Sequence, residues 1–135
     1  MLTNLGDAHV ELGDAREACE LHQRALAIHE EKFGPDHVRV AFPLRGLGNA
    51  HRDLGDAPKS LELLERSLAI FERHYGQENE YVARTRWGLG KTHVVLGDVA
   101  AARSHLERAV GIYEAKFGAN YRDTGRCRET LASLP

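Results

Sequence analysis

The ten-residue pattern Leu-Gly-x-x-His-x-x-Leu-Gly-Asp occurs three times, at Leu5–Asp14, Leu47–Asp56 and Leu89–Asp98, each copy 42 residues after the last. The register persists beyond the pattern. Ala25-Leu26-Ala27-Ile28, Ser67-Leu68-Ala69-Ile70 and Ala109-Val110-Gly111-Ile112 align, and Phe33-Gly34, Tyr75-Gly76 and Phe117-Gly118 close each unit. A period of this length is the mark of a solenoid, whose units cannot bury an apolar face alone and must stack on their neighbours.

Within the middle unit, Leu44, Leu47, His51 and Leu54 recur at three- and four-residue steps, which places them on one face of a helix A over about 38–54. Gly55 stands where a helix end favours a left-handed residue, and Asp56 follows as an N-cap. Leu61, Leu64, Leu68 and Phe71 then line a helix B that ends at Tyr75-Gly76. The connector Gly34-Pro35-Asp36 combines a stop, a rigid residue and a candidate N-cap at Asp36. Extended to the whole chain, with Gly13-Asp14 and Gly97-Asp98 as the same punctuation, this gives seven helices near 2–12, 15–33, 37–54, 57–75, 79–96, 99–117 and 121–134. No segment alternates with period two, so the expected class is all-α, built of antiparallel hairpins.

These residues resemble the tetratricopeptide repeat: Leu44-x-x-Leu47-Gly48-x-x-His51 with Ser60 and Leu64, Leu89-Gly90-x-x-His93 with Ala102 and Leu106, and Leu2, Leu5, Gly6, His9, Ala18 and His22. The 42-residue period and the Gly34-Pro35-Asp36-His37 connector are similar to the variant of kinesin light chains and nephrocystin-type proteins. Histidine stands in place of the usual Tyr, and Arg45-Gly46 and Trp87-Gly88 replace the paired Asn of light chains. The resemblance implies a right-handed superhelical solenoid, one repeat domain over 1–135 with units at 1–35, 36–77 and 78–119 and a partial unit at 120–135. Because Leu2 already aligns with Leu44, the chain is expected to be cut from a longer array.

In that family the A helices line a concave groove that binds partner segments. Carried over by register, the groove comprises Thr3, Asp7, Val10 and Glu11, then Arg45, Asn49, Arg52 and Asp53, then Trp87, Lys91, Val94 and Val95, with Phe42, Arg84 and Arg126 at helix A starts. Helical spacing agrees: Arg45, Asn49 and Arg52 follow i, i+4, i+7 on a face other than that of Leu44 and Leu47. The expected site is Phe42, Arg45, Asn49, Arg52, Arg84, Trp87, Lys91 and Val94, a basic surface for an acidic peptide or protein segment. Thr3 and Asp7 stand where a carboxylate clamp of chaperone-binding relatives needs Lys and Asn.

Other constellations carry less. Gly88-Leu89-Gly90-Lys91-Thr92 imitates a phosphate-binding loop, but Thr85 stands where its first glycine belongs and Lys91 falls in a predicted helix. His9, His51 and His93 lie one repeat apart, too far to share an ion when packed helices are about 8–10 Å apart, and are expected to fill the Tyr position as hydrogen-bonded core residues. His9, His22 and Cys19 form a conceivable ligand trio or a buried polar set within the first hairpin. Ser60, Ser67 and Ser104 have no conspicuous base, and Ser60 and Ser67 occupy small-residue positions. Arg84, Arg86, Arg122, Arg126 and Arg128 make the one local basic concentration, interrupted by Asp123 and Glu129, in a chain of net charge −2.

These observations point to a noncatalytic scaffold without cofactor or metal, with a protein partner and neither nucleic acid nor membrane. The alternative is an assembly segment that self-associates through open repeat ends, where Leu2, Leu5, Leu131 and Leu134 face outward. Two cysteines, Cys19 and Cys127, lie too far apart in register to bridge, Met1-Leu2-Thr3-Asn4 opens no signal peptide, and no run reaches the roughly 18 apolar residues of a membrane span. A cytoplasmic location is therefore expected.

Overall fold

The computed structural model describes the backbone of residues 4–135 and the side chains of residues 13–135. Six helices follow one another: α1 (Asn4–Phe33), α2 (Val38–Asp53), α3 (Ala57–Tyr75), α4 (Glu80–Leu96), α5 (Val99–Phe117) and α6 (Arg122–Ala132). Among the described residues there is no strand, and none of these helices is long and apolar enough to cross a membrane. Each helix packs on the next in sequence, and α2 also touches α4, so the chain is an all-α solenoid with α2 and α4 side by side in one row.

Local chemistry sets the turns. Gly34, Gly55, Gly76, Gly97 and Gly118 all have positive φ, and successive members are 21 residues apart, so each 42-residue unit is two equal halves. Gly55 and Gly97, at φ +91° and +83°, end helices in the left-handed region that a Cβ would penalise. The aspartates after them then start the next helix: Asp56 Oδ1 accepts from Lys59 N at 3.2 Å, and Asp98 Oδ1 from Ala101 N at 3.1 Å.

Two expectations fail. Gly13 would continue the 21-residue series, yet α1 runs through Gly13-Asp14 without a turn, so the expected helices at 2–12 and 15–33 are one and the count is six. A glycine inside a helix costs only about 1 kcal/mol relative to alanine, so a turn at such a position rests on the packing of the two helices it would join. The N-cap of α2 is His37, whose Nδ1 accepts from Arg39 N at 3.1 Å, and not Asp36.

The core follows the register. Leu44, Leu64, Phe71, Leu89, Leu106 and Tyr113 are fully buried, each apolar side chain contributing about 1.5–3 kcal/mol on removal from water. Close approach of the helices requires small residues where the sequence has them. Buried Ser60 Oγ and Thr92 Oγ1 are 2.9 Å apart across α3 and α4, and Ser67 Oγ donates to Ala41 O at 2.8 Å. Both serines therefore hold helices together, as their small-residue positions imply.

Candidate functional site

The row formed by α2, α4 and α6 collects most of the side chains expected in the groove. Trp87 of α4 is its centre. Its Nε1 donates to Thr130 Oγ1 of α6 at 3.2 Å, and its ring meets Tyr113 edge-on with centroids 6.2 Å apart. Lys91 Nζ stands 4.5 Å from the Trp87 ring centroid and the Arg126 guanidinium 5.9 Å from it. The indole therefore works as a platform that fixes two cations by their attraction to its π-face.

Arg52 and Asn49 are committed to structure. Arg52 Nη1 donates to Asn49 Oδ1 at 2.9 Å and to Gly88 O at 3.1 Å, tying α2 to α4. Gly88 leaves room for this arrangement, since a Cβ there would lie 2.8 Å from Asn49 Oδ1 and displace that amide. Arg84 faces Glu80 at 3.5 Å and Asp123 of α6 at 3.9 Å. Phe42 is packed edge-on against Phe71 and Tyr81, both at 4.9 Å, so its ring serves the core. Val94 and Val95 are exposed at the end of α4. Thr3, Asp7, Val10 and Glu11, and with them His9, lie outside the residues whose side chains are described.

Six cations among the described residues are half-buried: Arg45, Arg52, Arg66, Arg84, Arg86 and Lys91. Four of them meet a carboxylate within 4.0 Å, Arg52 with Asp53, Arg66 with Glu30, Arg84 with Glu80 and Asp123, and Arg86 with Glu72. Arg45 and Lys91 have no such partner among the described residues. Burial, and then the neighbouring Arg84, pulls Arg45 below the usual arginine value, while burial, then Arg52 and Arg126, does the same to Lys91. Like charges at short range in a partly desolvated place favour a counter-anion.

Behind this row lie groups that register alone did not single out. Tyr113 Oη and Arg84 Nε are buried without a hydrogen-bond partner. Burial drives the Tyr113 hydroxyl far above the usual phenol range, so it remains protonated. Tyr113→Phe is expected to leave stability unchanged or raise it by about 1 kcal/mol, because an orphan hydroxyl contributes only its desolvation cost. A denaturant midpoint showing a loss beyond about 1 kcal/mol would instead mean that this hydroxyl holds a partner.

The histidine and cysteine expectations change. Cys19 Sγ lies 3.7 Å from His51 Nε2 on the next helix, while the His22 ring lies against Gly46, where a Cβ would be 2.4 Å away. Cys19 is thus paired across hairpins and not with His22, and no group of three His, Cys, Asp or Glu able to hold a metal ion occurs among the described residues. His93 does not hydrogen-bond in the manner expected: its Nδ1 is buried and unpartnered, and its ring stacks on His105 at 5.4 Å. Arg86, expected in a surface basic patch, instead places Nη1 3.0 Å from His105 Nδ1 and Nη2 3.7 Å from Glu72. Cys127 is fully buried and burial raises its thiol to about 12, which makes it inert at neutral pH. Gly88–Thr92 is helical and packed, which leaves no phosphate-binding loop there.

Comparison decides the family, because a Tetratricopeptide repeat family model matches residues 1–73 and again 44–115. The chain belongs to the tetratricopeptide repeat family. No curated protein matches it. This tetratricopeptide chain superimposes on a Podosopora anserina structure assigned to kinesin light chains, with nearly identical TPR-like repeats, at a TM-score of 0.80 and 23% identity. The match covers 93% of this chain and 60% of that one. BtubC (BKLC) from P. vanneervenii matches at a TM-score of 0.78 and 23% identity, over 90% of this chain and 48% of the other. The chain thus spans about half to three fifths of the length of these structures, and the likeness is one of fold. Tetratricopeptide repeats mediate protein–protein interaction as a class, and the row described here lies on the helices that carry the first half of each repeat.

Proposed function

We propose that this chain is a noncatalytic scaffold whose α2–α4–α6 row binds an acidic segment of a protein partner. The observation that supports it is the pairing pattern of the half-buried cations: the other four meet carboxylates, whereas Arg45 and Lys91 have none among the described residues. Arg126, beside Lys91 on Trp87, adds a third cation without a carboxylate within 4.0 Å among the described residues. A carboxylate brought to these groups regains the Coulomb energy that burial has left unused, and the Trp87 platform limits the side-chain entropy lost on binding. The free thiols of Cys19 and Cys127 fit a reducing, cytoplasmic setting.

An array of acidic peptides, each with one aromatic or Leu, tests this against wild type and Arg45→Glu/Lys91→Glu together. Reversal of both charges is expected to weaken the best ligands at least about thirtyfold, roughly 2 kcal/mol or more, with thermal unfolding preserved. Wild-type affinity should also fall as salt rises. Ligands that bind both proteins equally would end this reading.

A further inference from the structure

The A helices of successive units meet at a constant offset. Phe42 packs on Tyr81 at 4.9 Å, a Cβ on Gly88 would lie 2.8 Å from Asn49 Oδ1, Asp123 lies 3.9 Å from Arg84, and the Arg126 guanidinium stands 5.9 Å from the Trp87 ring centroid. The members of every one of these pairs are 39 residues apart, so α2, α4 and α6 run in the same direction and their residues form rungs across the row. Two rungs on this register carry cations: Arg45–Arg84–Asp123 and, seven residues on, Arg52–Lys91–Thr130.

The two rungs differ in balance. At the first, Arg84 meets Glu80 at 3.5 Å and Asp123 at 3.9 Å, so two cations are set against two carboxylates. At the second, Thr130 stands in the place of Asp123, and its hydroxyl is engaged between Trp87 Nε1 and Arg126 O. Arg52 is held across the seam by Asn49 Oδ1 and Gly88 O, Lys91 lies on Trp87, and Arg126 reaches the same ring from α6. Among the described residues, Asp53, at 3.8 Å from Arg52, is the one carboxylate within 4.0 Å of any of these three cations. Burial, then Arg52 and Arg126, hold Lys91 below the usual lysine value, and Asp53 opposes them more weakly. Seven residues are roughly 10 Å of helix, so the carboxylates of the first rung lie about a Debye length away and leave this excess largely uncompensated.

We propose that the Arg52–Lys91–Arg126 cluster takes a phosphorylated side chain of the partner, a phosphoserine or phosphothreonine within the bound segment. This rests on the reading of the row as a site for an acidic segment and narrows its chemistry. Three cations against one carboxylate leave an excess of two positive charges. A carboxylate neutralises half of that excess, whereas a phosphomonoester carries about −1.5 to −2 at neutral pH and neutralises nearly all of it. Three helices each supply one cation, which matches the three acceptor oxygens of a phosphoryl group.

A peptide array in which every sequence is present with Ser, Asp or phosphoserine at one position tests this, followed by fluorescence anisotropy on the best set. At about pH 7.5 the phosphoserine form is expected to bind at least about tenfold more tightly than the Asp form, and the Ser form more weakly than either. Lowering the pH to about 5.5, through the second phosphate ionisation near 6, should weaken the phosphoserine form severalfold. The Asp form, which stays ionised, controls for titration of the protein itself. Arg126→Gln, at an exposed position, and Lys91→Met should each cut the preference for phosphoserine over Asp at least about threefold, with the Arg126→Gln arm deciding alone should Lys91→Met fail to fold. Equal binding of the phosphoserine and Asp forms would overturn the phosphoryl assignment and spare the acidic-segment reading, whereas binding of none of the three would end both. A preference that both variants retain in full would place the phosphoryl group elsewhere and overturn the assignment as well.

Discussion

Gly90→Ala is expected to destabilise the protein by about 2–3 kcal/mol, lowering the thermal midpoint by about 10 °C, while Gly111→Ala is expected to stabilise it by about 0.5–1 kcal/mol. The same substitution changes sign because of what each new methyl would meet. At Gly90 a Cβ would lie 2.6 Å from Leu106 Cγ and 2.7 Å from its Cδ2, and Leu106 is fully buried, so it has nowhere to swing. The helices α4 and α5 must then separate, with loss of contact along the whole hairpin. At Gly111, on the exposed side of α5, nothing lies within 4 Å and φ is not positive. Alanine there only removes backbone freedom from the unfolded chain. Denaturant midpoints of the two variants check both signs, and a Gly90→Ala protein within about 0.5 kcal/mol of wild type would show that the α4–α5 contact has slack.

The second large effect is expected from the polar joint in the third hairpin. His105 is held down at about 4, chiefly by burial, then by Arg86, His93 and Arg108. Its ordinary value is about 6.5, so the unfolded chain takes up the proton first as pH falls. The stability tied to its neutral form is complete above about pH 6.5 and drains away as pH drops through about 4. Because the ring is only half-buried, solvent reduces this contribution to about 1–2 kcal/mol. Arg86 and His105 stand where the second hairpin has Leu44 and Leu63. The double change Arg86→Leu/His105→Leu should remove this acid-sensitive part and raise stability near pH 7 by about 1–3 kcal/mol, as when apolar packing replaces a buried charged group. Glu72, relieved of its partner, is exposed enough to take up water. Urea midpoints near pH 7 and near pH 4.5 distinguish the outcomes: an unchanged drop between them in the double variant would acquit His105.

The architecture was legible because it is periodic. A 42-residue repeat with glycine at the turns and small residues at the crossings specifies helices within a few residues at each end, and the burial of Ser60 and Ser67 follows from their small-residue positions. Gly13 departs from its series because the turn is decided by helix packing and not by the glycine. The positions of Arg45, Trp87 and Lys91 could be read by the same register, but their partners could not. Thr130 and Arg126 come to Trp87 from α6, one repeat on, where spacing gives proximity without saying which atoms meet. Arg86 and His105 carried a usable signal that charge counting concealed. Both align with leucines, and a polar residue at an apolar register position is a stronger statement than one more arginine in a basic cluster.

The turn spacing has a kinetic consequence. With packing confined to neighbours in the helix order and to helices one unit apart, α2 with α4 and α4 with α6, no tertiary contact among the described residues has to close a loop much longer than one unit. The hydrogen bond of longest reach among the described residues, Trp87 to Thr130, joins positions 43 apart. Loop-closure entropy is thus set by the unit and not by the chain, and lengthening the array would add further short closures without lengthening any of them. A chain of this kind can fold from whichever hairpin forms first, each new helix docking on a surface already in place.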